Sequence, residues 1–203
     1  MIVRCTKKTL DLLGGRSVTV EEVPATNEDW YLDLLWIDRR KCLLLTHAGT
    51  LFSVFRASIK TADLRPLGPY LCAAIQTELH AERLAADTLG RLQPDHVRAA
   101  RTASRSTLGS MNQMTREIRY HVAHRGGLPG CDIDELNRQL RRTLRYRDGY
   151  ARPIDLVADD CAPIAPPKRT VDIARGPDPE TWTPSRKSRV AREAPNHRQR
   201  HGS

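Results

Sequence analysis

Aromatic residues are scarce in this 203-residue chain, which has two Phe, three Trp and five Tyr, or 5% of the whole. A module that reads bases by stacking needs a basic-aromatic string along a strand, and none occurs. Phe52 and Phe55 are three apart and so point to opposite faces of a strand. Aromatics of the segment around them therefore read as core. Cysteine is present but unpaired in pattern. Cys5, Cys42, Cys72, Cys131 and Cys161 are an odd number, widely scattered, with no CxxC. That excludes a disulfide framework and a cysteine zinc site, and leaves reduced, mostly buried thiols. No uncharged apolar run approaches the roughly 18 residues that a membrane-crossing helix needs. The opening MIVRCTKKTLDLL also lacks the apolar stretch of a secretory signal, so the expectation is a cytoplasmic protein without membrane contact.

Several catalytic signatures are missing too. Without GxxxxGK[ST] or GxGxxG the chain has no Walker or dinucleotide-binding loop, and without GxSxG or HExxH it has no nucleophile elbow or zinc-protease helix. His121 and His124 stand three apart on a helical pattern with Cys131 following, but no fourth ligand has recognisable spacing. Neither a metal nor a cofactor is expected. His47, at a strand end, is a conceivable general base with Asp33 or Asp38 to orient it, although nothing fixes a third partner and a structural histidine is the simpler reading.

What the chain does have is positive charge. Thirty-three Lys and Arg against 24 Asp and Glu give +9 and a pI near 9.7. This bias favours polyanions or acidic partners. Seven of the thirteen prolines (Pro163, Pro166, Pro167, Pro177, Pro179, Pro184 and Pro195) fall after Asp159, where apolar periodicity also ends. Residues 159–203 read as a disordered, Pro-rich basic tail, with Arg186, Lys187, Arg189, Arg192, Arg198 and Arg200 opposed near its end only by Glu193.

Residues 1–158 read as a single α+β domain. Ile2 to Arg4 forms a short strand, and Thr6 caps a helix through Leu10 and Leu13 that Gly14-Gly15 ends. Arg16 to Asp29 reads as a loop. YLDLLWI, CLLLTHA and LFSVF, separated by Asp38-Arg39-Arg40 and Gly49-Thr50, form a three-strand antiparallel meander. Leu71, Ile75, Leu79 and Leu84 give a helix to about Ala86 with Glu78, Glu82 and Arg83 toward solvent. Val97 to Ala103 is a further strand. Ser106 to His124 is a helix stopped by Gly126-Gly127, with Ser106 a candidate cap. Asp132 and Glu135 close the start of a further helix with Ile133, Leu136, Leu140 and Leu144 as its apolar stripe. Helices are expected to cover one side of the meander.

VRCTKKTLDLL, WYLDLLWIDRRKCLLLTHAGTLFSVF and RTASRSTLGSMNQM together resemble an uncharacterised prokaryotic family, the domain of unknown function 6933 family, over about residues 1–157. The specific parts are Cys5-Thr6-Lys7-Lys8 and the segment with Arg105, Ser106, Thr107, Met111 and Asn112, where the family carries an Arg, a small hydroxyl residue and a Met-Asn pair before a helix. The resemblance implies a compact α+β body and brings no activity, cofactor or catalytic residue with it.

Three groups of residues are candidates for anion binding. Lys7 and Lys8 sit in the first turn of a helix, where the dipole favours anions. Arg101, Arg105, Ser106 and Asn112 surround a strand-to-helix junction that can present a guanidinium, hydroxyls and backbone donors to a phosphate. Arg138, Arg141, Arg142 and Arg145 form a basic helix face able to track a nucleic-acid backbone. The leading expectation is a binding or accessory protein that contacts nucleic acid or another polyanion. The alternatives are a small enzyme acting on a phosphorylated or anionic substrate, around Lys7, Lys8, His47, Arg105 and Asn112, and a protein-interaction module.

Overall fold

A computed structural model describes residues 1–14, 19–146 and 149–160. The tail lies outside these residues from position 161, as does Cys161. The meander begins with β3 (Trp30–Ile37) and β4 (Arg40–His47), paired in antiparallel register from Trp30 opposite His47 to Ile37 opposite Arg40. Their two-residue turn is Asp38-Arg39, both at positive φ, the backbone twist that matches a tight hairpin. A second turn leads to β5 (Ser53–Arg56), closed by a bond from the His47 N–H to the Phe52 carbonyl.

Parallel strands extend the other side of β3. β1 (Ile2–Cys5) pairs with β3, β6 (Arg98–Arg101) with β1, and β2 (Val20–Glu21) with β6. The six-stranded order is therefore β2-β6-β1-β3-β4-β5, mixed in direction. The expected loop from Arg16 to Asp29 thus contains a two-residue edge strand, too short for alternation to reveal it.

Side-chain alternation divides the core in two. Val3, Cys5, Trp30, Leu32, Leu34, Leu43 and Leu45 face one way, under α1 (Lys7–Leu13), α2 (Leu67–Ala81) and α5 (Pro153–Asp160). Tyr31, Leu35, Ile37, Cys42 and Leu44 face the other, under α3 (Arg105–His124) and α4 (Ile133–Arg142). Helices consequently cover both faces rather than one. The near-continuous apolar runs of β3 and β4 already suit strands buried on both sides.

Three local expectations are corrected. Helix α2 ends at Ala81, short of Ala86, and Glu78 is buried on it. Ser104, not Ser106, caps α3, accepting from the Thr107 N–H at 3.2 Å. Leu144 lies beyond the end of α4 and is exposed, so the apolar stripe stops at Leu140. The Asp132 cap of α4 is as expected, accepting from the Glu135 N–H at 2.9 Å. A hairpin of β7 (Arg145–Tyr146) and β8 (Tyr150–Ala151) follows.

Candidate anion-binding site at the carboxyl rim of the sheet

Strands β2, β6, β1 and β3 all run in one direction, so their carboxyl ends share a rim. Cys5, the last residue of β1, is in register with Arg101, the last of β6. From these neighbouring ends the chain departs to opposite faces, into α1 on one and α3 on the other. In open sheets, chain departures of this kind at adjacent strand ends mark the place where ligands are commonly held.

The residues at the rim are held in different ways. The Thr6 hydroxyl stands at the start of α1 but does not cap it. It donates to Asp33 Oδ1 at 2.7 Å and meets the Thr9 hydroxyl at 2.9 Å. Lys8 reaches the same Asp33 carboxylate at 3.1 Å, so part of its charge is already balanced. Lys7, Arg101 and Arg105 are exposed, and among the described residues none has a carboxylate partner. Ser106 is exposed beside Arg105. Asn112 is exposed as well, but it lies six residues along α3, about 9 Å down the axis from Ser106, and does not join the group.

The rim is tied together by Arg4, a residue whose role is not evident from the sequence. Arg4 is buried on β1, with Nε 2.5 Å from Asp29 Oδ2 and its other nitrogens donating to the carbonyls of Arg101, Val23 and Pro24. Asp29 also accepts from the N–H and hydroxyl of Thr26. The guanidinium is thus spent on tying the 23–29 loop and the end of β6 to β1. An arginine inside the apolar alternation of a strand is the signal that could have marked it. Tyr31 adds a further tie, its hydroxyl accepting from the Ser104 N–H at 3.0 Å just before α3.

The expected arginine face of α4 does not exist as a face. Arg141 is fully buried, with Nη1 2.8 Å from Glu78 Oε2 and Nη2 2.7 Å from Glu82 Oε1, and it lies over the Phe52 ring. Arg142 pairs with the other oxygen of Glu82 at 2.6 Å, and Arg138 with Glu135 on its own helix at 2.8 Å. Arg145 is buried and bound by both oxygens of Glu117. Burial alone would raise the Glu82 carboxyl, but the hydrogen bonds from Arg142 and Arg141 outweigh it and hold the group below its usual value. The side chains of Glu78 and Glu82 are nearly solvent-free, whereas the sequence reading placed both toward solvent. Arg141 and Arg142 join α4 to α2 and Arg145 joins β7 to α3, whereas Arg138 makes a surface pair within α4.

His47 is committed to the fold as well. His47 is buried against Trp30, with Nδ1 3.1 Å from the Thr50 hydroxyl and 3.3 Å from the Thr50 N–H, so it shapes the β4–β5 turn. Asp33 serves Thr6 and Lys8, and Asp38 accepts from the Leu128 N–H, so neither orients His47. His124 stacks on Tyr120, and among the described residues no cluster of His, Cys, Asp or Glu suits a metal ion. At the rim itself, burial pushes the Cys5 thiol up to about 12, which removes it as a nucleophile near neutral pH. Apart from Asp33, which Thr6 and Lys8 already engage, the side chains named at these strand ends are cations and hydroxyls, the groups suited to an anion.

Residues 2–156 match a family described as a domain of unknown function (DUF6933). The chain belongs to this family. Among curated proteins no match is found. The DUF6933 match takes in both the Lys7-Lys8 turn and the Arg101–Arg105 junction, so the whole rim lies within the family domain. Among the described residues no helix is long and apolar enough to cross a membrane.

Proposed function

We propose that this DUF6933 protein is a cytoplasmic binding protein for a phosphate-bearing polyanion, most simply nucleic acid, which it contacts at the carboxyl rim of its sheet. One observation supports the reading above the others. Lys7, Arg101 and Arg105 follow two adjacent strand ends with no carboxylate partner among the described residues, while Arg141, Arg142 and Arg145 are paired with Glu78, Glu82 and Glu117. The rim cations are attached to a frame fixed by Arg4 and Tyr31, so little side-chain frame has to be ordered on binding. Contacts of this kind set affinity and position without reading sequence. The alternative of a phosphate-ester enzyme draws on His47 as base, and that ring is engaged in its own turn.

Lysine footprinting tests the proposal. The full chain is treated with an amine-modifying reagent, alone and in the presence of a mixed-sequence oligonucleotide, and modification is read by mass spectrometry. The proposal expects Lys7 to lose reactivity when the strand is bound. Absence of binding, or binding that leaves Lys7 as reactive as in the free protein, contradicts it.

A further inference from the structure

We infer that the tip of the β3–β4 hairpin is a stacking platform for a base of single-stranded nucleic acid. This rests on the polyanion reading above and narrows it to one class of strand. β1 ends opposite Leu32, whereas β3 continues to Ile37, so the hairpin overhangs its parallel neighbour by five residues, about 16 Å. Trp36 lies on this overhang, on the same side of the strand as Trp30, Leu32 and Leu34 but beyond the helices that cover them. Trp30 is 1% exposed and Trp36 is 52% exposed, so the indole is open where every apolar neighbour on its face is closed.

Three cations lie within five residues of it, beyond Ile37 and Asp38. Lys41, cross-strand from Trp36, holds its ammonium 5.8 Å from the ring centroid and donates to the Thr61 hydroxyl at 2.8 Å. Arg40 donates to the Ser58 hydroxyl at 3.3 Å. Arg39 stands at φ 60°, in the left-handed region where glycine would be the relaxed choice. Among the described residues no carboxylate pairs with any of the three. Trp36, Arg39, Arg40, Lys41, Ser58 and Ile59 line an open concavity of about 450 Å³.

The acids nearby are turned to other work. Asp38 accepts from the Leu128 N–H at 2.6 Å, and its carboxylate sits so close to Gly127 that a side chain there would meet it at 2.8 Å. Asp63 accepts from the Lys60 N–H at 2.8 Å. The Asp38 tie fixes the hairpin turn to the turn that follows α3, while Arg39 and Arg40 are exposed. An open aromatic ring beside unneutralised cations is the combination that binds single strands, the base on the ring and the backbone phosphates on the cations. A duplex keeps its bases stacked within itself and offers this ring nothing. Because Trp36 and the rim both lie toward the carboxyl end of the parallel strands, one strand can run from the first to the second.

The test compares full-length wild type, Trp36→Ala, Trp36→Phe and Lys7→Gln/Arg105→Gln. Each is titrated with a labelled oligothymidylate of about 15 nucleotides and with a mixed-sequence duplex of matching length, followed by anisotropy. Circular dichroism confirms that each variant folds, which an exposed tryptophan permits. Trp36→Ala is expected to weaken single-strand binding about tenfold or more, Trp36→Phe to restore most of it, and duplex binding to be unchanged by either. Single-strand binding equal in wild type and Trp36→Ala overturns the platform. If Lys7→Gln/Arg105→Gln still weakens both ligands in that case, the rim reading stands without it. Binding of neither ligand by wild type overturns both.

Discussion

Arg141 shows most plainly how a charge that looks available in the sequence is consumed in the fold. It faces Glu78 and Glu82, whose side chains are also buried, and it is stacked over Phe52. Two carboxylates and one guanidinium inside a protein are tolerable only together, since each alone carries an unrelieved desolvation cost. Arg141→Ala is expected to lower the unfolding free energy by about 3–5 kcal/mol, read as a shift of the urea midpoint at unchanged slope. A shift of less than about 1 kcal/mol would mean that the pair of acids is relieved by something other than Arg141. Arg142, half exposed and sharing Glu82, is a weaker member of the group.

At the scale of elements, the open edge of the meander is closed by a side chain that acts as a strand. Asn137 of α4 accepts from the Phe55 N–H at 2.7 Å and donates to the Phe55 carbonyl at 3.1 Å, and its amide also donates to Glu78. β5 has β4 on one side only, so without Asn137 the outward backbone N–H and carbonyl of buried Phe55 would lack these partners. Asn137→Ala is expected to cost about 2 kcal/mol and to speed amide exchange at Phe55 specifically, a pattern visible by NMR. Exchange at Phe55 as slow as in wild type would contradict the role given to the amide.

This edge also marks how far the sequence could be read. The meander was legible because its strands are consecutive and their turns local, and α3 and α4 because caps and apolar stripes sit within each segment. What decides the arginines is not local. Arg141 meets acids 63 and 59 residues away, and Arg145 meets Glu117 across 28. An amphipathic pattern shows which side of a helix is charged, but not that another helix places carboxylates opposite it. Glu78 and Glu82 were read as solvent-facing for the same reason. Trp36 was read as core because its neighbours are, and the five-residue overhang that exposes it depends on where β1 stops. Lys7, Arg101 and Arg105 were named from local junctions, and only the parallel pairing of β1 with β6 brings those junctions to one rim.

Across the whole molecule, the surplus of +9 is therefore not spread as the composition suggests. Part is cancelled within the helical layers, and part stands unopposed at the rim and the hairpin tip. Only unopposed cations release counterions from a bound polyanion, so the two sets differ in their effect on the salt dependence of binding. The most direct measurement is the slope of log K against log salt concentration for a single-stranded oligonucleotide. It is compared among wild type, the triple variant Lys7→Gln/Arg101→Gln/Arg105→Gln, and Arg138→Gln, whose guanidinium is already held by Glu135. The account predicts that the triple variant lowers the slope by about two and that Arg138→Gln leaves it unchanged. A triple variant with the wild-type slope, or a clear loss on Arg138→Gln, would contradict it.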